Sequence, residues 1–434
     1  MGRLFVIILF LFLIFINICL ASEIENYSLR ERIIILTLNE LEMKKKERIF
    51  NEAFIEAVMR LKEEQEAFAD IKKEDELWQK ILQNLEYLVT HTIEYNDNLY
   101  CFRDKISDIV NRIEPNVKLK FIDMMATVDF ELGIRANLYA RNSGNNNQDM
   151  HFNFNIERKL GRYSIFFKNN FLRENISPSS LGIEQRKFPR YWEDIFNMGL
   201  RRKFNRLYWD FNYYFVFHNF ESEYSYERDY TIHQFGASSN FLIAPKTEIF
   251  TGIWYGFVKH KYDSAGDSNF KGFNFGLKGW YTPKLSGSIE IGYNYQDYET
   301  APDFKSVVTD TNIHYGLSEL TRLDFNLQRR TEESNYSEED YNIFNKFGTI
   351  LTHNFALSPP YFFIQFGMAV SYLDFPKLID NAGHERFLDF NLSLGYKLRK
   401  WFEFVLGYIY KSRKSNLYYD YNNNIFTFTT KALF

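Results

Sequence analysis

The strongest constraint in this sequence is a period of two near its end. Phe390, Leu392, Leu394, Tyr396 and Leu398 share one parity, and Asp389, Asn391, Ser393, Gly395 and Lys397 share the other. After Arg399-Lys400 the pattern resumes with Phe402, Phe404, Leu406, Tyr408 and Tyr410. It returns with Phe426, Phe428, Thr430, Ala432 and Phe434. Alternation at this period makes a strand with one apolar and one polar face. Runs of about ten residues with aromatics near their ends suit strands tilted across a bilayer.

The same pattern runs through 126–434, where sixteen strand candidates can be drawn. Their connections alternate between short turns, such as Asn205-Arg206 and Pro283-Lys284, and long polar loops, such as 174–192 and 374–382. Tight turns on one rim and polar loops on the other are the layout of a closed membrane barrel. A soluble fold would have to bury sixteen aromatic strand faces in one core, and a domain of that size normally splits. With lipid outside, the interior can stay polar and wet. The expected fold is therefore an all-β membrane protein, an antiparallel up-and-down barrel of about sixteen strands over 126–434. Negative mean hydropathy does not oppose this, because alternation averages it out.

The start of the chain differs. Residues 1–21 read as a secretion signal, with Arg3, an apolar run over 4–18 and small residues at Cys19 and Ala21. A lipoprotein signal acylated at Cys19 is the weaker alternative, because Ile18 is bulky. Once the signal leaves, Cys101 is alone and no internal disulfide can form. Between Ser22 and Glu114 there is neither Gly nor Pro, and apolar residues follow a 3-4 rhythm through Leu85, Leu88, Thr92, Tyr95, Leu99, Phe102, Ile106, Ile109 and Ile113. That spacing predicts a helical, coiled-coil-like periplasmic segment over 22–118, ended by Pro115. Cys101 would be a small buried residue on that helix. The segment carries 15 Lys+Arg against 21 Asp+Glu. Such an acidic surface excludes nucleic acid as a partner and leaves self-association or a periplasmic protein.

Two passages, 276–299 (GLKGWYTPKLSGSIEIGYNYQDYE) and 392–424, repeat one plan: strand, short basic turn, strand ending Gly-Tyr-x-Tyr, polar loop. This resembles the bacterial family known as putative beta-barrel porin 2, some members of which are associated with exopolysaccharide export. The resemblance covers 126–434 and implies a bacterial outer-membrane location. Phe434 on the apolar face resembles the C-terminal signal read by the outer-membrane barrel assembly machinery. It would close the barrel against a first strand near 126–141.

No chemistry stands out. There is no Gly-x-Ser-x-Gly, no paired histidines at metal spacing and no phosphate-cradling loop, so neither catalytic residues nor a cofactor or metal are expected. The acidic 333–340 loop lacks the spacing of a calcium loop. What remains is a pore through which a polar solute or a polysaccharide passes or is exported. The pore-lining candidates on polar strand faces are Arg201, Lys203, Asp210, Asn212, Glu290, Asn294, Arg322, Asp324, Lys397 and Glu403. From residue 119 onward 36 Lys+Arg balance 35 Asp+Glu, which argues against strong ion selectivity. Tyr208, Tyr214, Trp254 and Trp280 could stack on sugar rings, or pack the rim. The alternative is an anchor or adhesin that works through its helical segment, and an outer-membrane hydrolase is a third reading.

Overall fold

A computed structural model describes residues 84–122, 125–176, 187–221, 229–261, 266–299, 301–334, 341–375, 383–417 and 419–434. All of them belong to the second of two compact units, Lys80–Phe434. The expected signal at 1–21 and the helical expectation up to residue 83 lie outside them.

The chain runs through β1 (Leu85–Asn96), β2 (Asp108–Ile122), β3 (Ala126–Tyr139), β4 (Asn147–Leu160), β5 (Tyr163–Asn175) and β6 (Arg190–Phe204). It continues with β7 (Leu207–Phe220), β8 (Tyr230–Ala244), β9 (Thr247–His260), β10 (Ser268–Thr282), β11 (Leu285–Tyr298) and β12 (Phe304–Gly316). It ends with β13 (Thr321–Glu333), β14 (Tyr341–Asn354), β15 (Tyr361–Phe375), β16 (Gly383–Arg399), β17 (Phe402–Ser415) and β18 (Tyr421–Leu433). Each strand pairs with its sequence neighbours, and β18 pairs with β1, so an 18-stranded antiparallel sheet closes on itself. Closure leaves no open edge, which is what a β structure in lipid requires.

The barrel has 18 strands, not sixteen, and it begins at Leu85 rather than Ala126. The two added strands lie within 85–122, of which 85–118 belonged to the expected helical segment. In a strand, Leu88 and Thr92 fall on one face while Leu85 and Tyr95 fall on the other, so the rhythm builds no seam. The parity that matters sets Val89, His91, Ile93 and Tyr95 against Thr90, Thr92, Glu94 and Asn96. Pro115 ends no helix: it sits inside β2, opposite Val89. The β2–β3 ladder skips from Ile113↔Ala136 to Asn116↔Gly133, consistent with a residue that has no N–H to donate. The C-terminus therefore closes on β1. Phe434 donates to the Tyr87 carbonyl at 2.8 Å and accepts from the Tyr87 amide at 3.1 Å.

Short turns lie at the rim shared by the two ends of the barrel wall. Gly161-Arg162, Asn205-Arg206, Pro245-Lys246 and Pro283-Lys284 each join two strands, and the Arg399-Lys400 turn shifts by one residue to Lys400-Trp401. Gly161 (φ 65°) and Asn205 (φ 50°) adopt the left-handed conformation that such tight turns need. The opposite rim carries the longer connections.

Outer and inner faces separate cleanly by parity. Ile253, Tyr255, Phe273, Phe275, Ile291 and Tyr293 are large, apolar and exposed on neighbouring strands. Phe273 is the cross-strand partner of both Ile253 and Tyr293, and Phe275 of Ile291, while Tyr255 shares the parity of Ile253, so they form one continuous face. On the opposite face Tyr208 of β7 hydrogen-bonds Glu248 of β9, reaching past β8. Such contacts between strands that are not neighbours arise on the concave side. The hydrophobic set is thus turned outward, the reverse of a soluble barrel.

The β1–β2 connection, 97–107, is packed rather than free. Asn98 is fully buried; its Nδ2 donates to the carbonyls of Phe102 (2.8 Å) and Asn422 (3.0 Å). Leu99 and Tyr100 form a buried cluster with Val110, against which Tyr139 and Phe188 pack. Cys101 lies in this loop with φ 56°, not on a helix. Asp97 anchors the loop, accepting from Lys105 Nζ (2.8 Å) and from the Asn424 amide (2.6 Å) and side chain (2.7 Å). Burial pushes the Asp97 carboxyl up, but these bonds from Lys105 and Asn424 outweigh it and hold it below the usual carboxylate range. A lowered folded value means stabilisation that is complete above the unfolded value and lost as pH falls through the folded one. We expect the Asn424 amide-proton resonance to move only at pH values below the ordinary carboxylate range. Asp97→Asn should leave it flat; a wild-type resonance that never titrates would overturn this clamp.

Candidate functional site

The inner wall is the only large polar surface that the alternating strands bring together among the described residues, and its chemistry is not uniform around the ring. One sector, from β1 to β3, is densely charged. Arg112 forms a forked ion pair with Glu94, which is only 4% exposed. Arg135 Nε donates to Glu114 Oε2 at 2.6 Å, and Lys118 Nζ lies 2.9 Å from Glu131. With Thr90 and Thr92, Arg112, Glu114 and Arg135 line a niche of about 300 Å³. Alternating strands explain the arrangement: every second residue faces in, and neighbouring strands place opposite charges side by side.

A second sector, from β8 to β11, carries amides, hydroxyls, rings and glycines. One cross-strand row reads Asn212, Gly236, Trp254, Gly272, Asn294 from β7 to β11. Charge reappears toward the short-turn rim, where Lys278 Nζ lies 2.6 Å from Glu248 Oε1. Toward the long-loop rim the wall becomes aromatic. Tyr298, Phe304 and Tyr341 form a buried cluster, with the two tyrosine rings stacked at 4.2 Å. Nearby, His260 Nε2 is 3.5 Å from Glu333 Oε2, joining β9 to β13.

All ten residues singled out from the sequence share the parity of this polar face in their strands. The fold brings some of them together. Arg201 and Asp210 make a forked pair at 2.7 and 3.1 Å, with the Arg201 guanidinium 4.7 Å above the Tyr208 ring. Lys203 is the cross-strand partner of Tyr208. Arg322 Nε donates to Asp324 Oδ2 at 2.9 Å, and Asp324 Oδ1 also meets His314 at 2.6 Å. Lys397 sits opposite Glu403, which pairs with Lys431 at 3.3 Å. Glu290 accepts from Asn274 Nδ2 at 2.6 Å, while Asn212 and Asn294 lie at the two ends of the Trp254 row. These groups occupy separate stretches of wall and make no single cluster. Trp280 is exposed near a short turn, with Lys246 Nζ 5.6 Å over its ring.

The charged β1–β3 sector was missed because the heptad reading hid it, although Thr90, Thr92 and Glu94 alternate with apolar residues as plainly as any later strand. Among the described residues, no group of three or more His, Cys, Asp or Glu could hold a metal ion.

The sequence matches the family described as Putative beta-barrel porin 2 over residues 87–432, which spans the wall from β1 to β18. The chain belongs to this family. Its bacterial outer-membrane location and porin-like character follow from that membership. No curated protein matches the sequence. Among solved structures, similarity extends to Pseudomonas aeruginosa OpdK with vanillate, at 8% identity and TM-score 0.45, covering 81% of this chain and 99% of that one. Pseudomonas aeruginosa OccK11 (OpdR) is 12% identical with TM-score 0.43, covering 81% and 97%. Pseudomonas aeruginosa OccK2 (OpdF) is 8% identical with TM-score 0.47, covering 81% and 98%. The family match reaches back to residue 87, so it agrees with a wall that starts at β1 and not at Ala126.

Proposed function

We propose that the barrel is a passive outer-membrane channel for polar solutes, without covalent chemistry. The observation that carries this reading is the reversal of faces: exposed aromatic and aliphatic side chains outside, amides and paired charges inside. In this reading Arg201, Lys203, Asp210, Asn212, Glu290, Asn294, Arg322, Asp324, Lys397 and Glu403 line the path. Acids and bases on the wall neutralise one another in pairs, which favours neutral or mixed solutes, sugar polymers among them, over a selective ion current. Residues 1–21 serve export, and Phe434 is read by the barrel assembly machinery. Residues 22–83 reach a periplasmic partner or a second copy.

Planar-bilayer recording of the refolded full chain tests the channel. Stepwise currents are expected, with a cation-to-anion permeability ratio of roughly one in a potassium chloride gradient. A folded barrel that passes no current would overturn the channel in favour of an anchor. A ratio above about ten would overturn the balanced lumen.

A further inference from the structure

We propose that the inner face of β8–β11 holds a binding site for a neutral pyranose ring, centred on Trp254. The inference deepens the channel reading and rests on it. Trp254 has a glycine on both hydrogen-bonded neighbours, Gly236 on β8 and Gly272 on β10. A Cβ at Gly272 would collide with Cζ2 and Cε2 of the indole, so the ring lies over that glycine. One indole face rests on the wall, and the partly exposed ring presents the other inward. On the same sector Gly252 and Gly292 flank Asn274 across the strands, and the Asn274 Oδ1 lies over Gly252, the inward position next to Trp254 on β9.

Two amide oxygens supply the second, independent observation. Asn294 is 8% exposed, and its Oδ1 is buried without a hydrogen-bond partner. Asn274 Oδ1 is likewise buried and unpartnered, although its Nδ2 donates to Glu290 at 2.6 Å. Buried acceptors are normally satisfied, so a pair of unmet ones beside an open indole face points to a ligand that brings donors. A pyranose meets both demands: C–H groups on its face pack on the indole, and hydroxyls on its rim donate to the two amides. The Trp254 row from Asn212 to Asn294 carries no ionised side chain. Glu290, which accepts from the neutral amide of Asn274, puts negative charge beside the site and disfavours an anionic ring.

Maltotriose is the probe, titrated by calorimetry into the full-length barrel in detergent and added to single channels in a bilayer. We expect saturable heat and reversible interruption of current. Trp254→Ala should weaken binding about tenfold and Asn294→Ala about threefold, in variants that still open stepwise channels. Trp254→Phe, which keeps a ring over Gly272, should retain most of the affinity and guards against loss through misfolding. Wild-type protein that conducts without binding maltotriose overturns the site, as does Trp254→Ala binding as wild type does. Glucuronate binding more tightly than maltotriose overturns the neutral class. Binding without any current would keep the site and overturn the channel.

Discussion

A lysine at Ile253 should destabilise the folded barrel by about 2–4 kcal/mol, the penalty for a charge on the lipid face near the bilayer midplane. Ile253 is 64% exposed at the middle of β9, with Phe273 and Ala237 as its cross-strand partners. Nothing nearby on that face offers a counter-charge, and the side chain is too short to reach either interface from mid-strand. The matched control is Ser238→Lys, one strand away on the inner face and opposite Asp210. That change should stay within about 1 kcal/mol, because the lysine finds water and a carboxylate. Urea titration of both variants folded into lipid vesicles gives the comparison. Equal losses at the two positions would mean that the faces are not divided between lipid and water.

Removing 426–434 should abolish the folded barrel altogether. That segment supplies the partners from Leu88↔Leu433 to Tyr95↔Phe426, together with the Phe434–Tyr87 bonds. Without it β1 would expose a row of backbone donors and acceptors to hydrocarbon, where each unmet group is worth several kcal/mol. The gel mobility difference between heated and unheated protein, a signature of closed barrels, should vanish. A single proline at Thr429, which pairs with Thr92 and Val405, should reduce it strongly. If the truncated protein kept its compact unheated band, the β1–β18 seam would not be what holds the wall.

Much of the wall was legible because lipid imposes one rule on every strand. From β3 to β18 the sixteen expected strands match the observed ones to within a few residues, since Phe, Tyr and Ile alternate with Asn, Ser and charge. β1 and β2 escaped for a definite reason. Residues 85–113 contain no Gly or Pro, and a rhythm of threes and fours can be threaded through any segment so rich in Leu and Ile. The turn signal was present in Asn96-Asp97-Asn98, whose side chains do build the loop, but it lacks the glycine usually sought there. The inner sites were less legible still. Asn212, Gly236, Trp254, Gly272 and Asn294 become neighbours only through register, and register across five strands cannot be read from parity alone. Likewise the pairing of Arg112 with Glu94 needs β1 beside β2, which the helical expectation had ruled out.

Closing the ring has a kinetic side. Seventeen of the eighteen ladders join strands adjacent in the chain and can zip as hairpins. The last joins Thr92 to Thr429, 337 positions apart, where their hydroxyls meet at 2.9 Å. Loop-closure entropy rises slowly with length, but no part of that ladder can form before the C-terminal strand exists. Until then the growing sheet carries two unsatisfied edges and a full set of outward aromatics. Assembly is therefore a race between one remote pairing and aggregation, and a catalyst that holds β1 open until β18 arrives would shorten it.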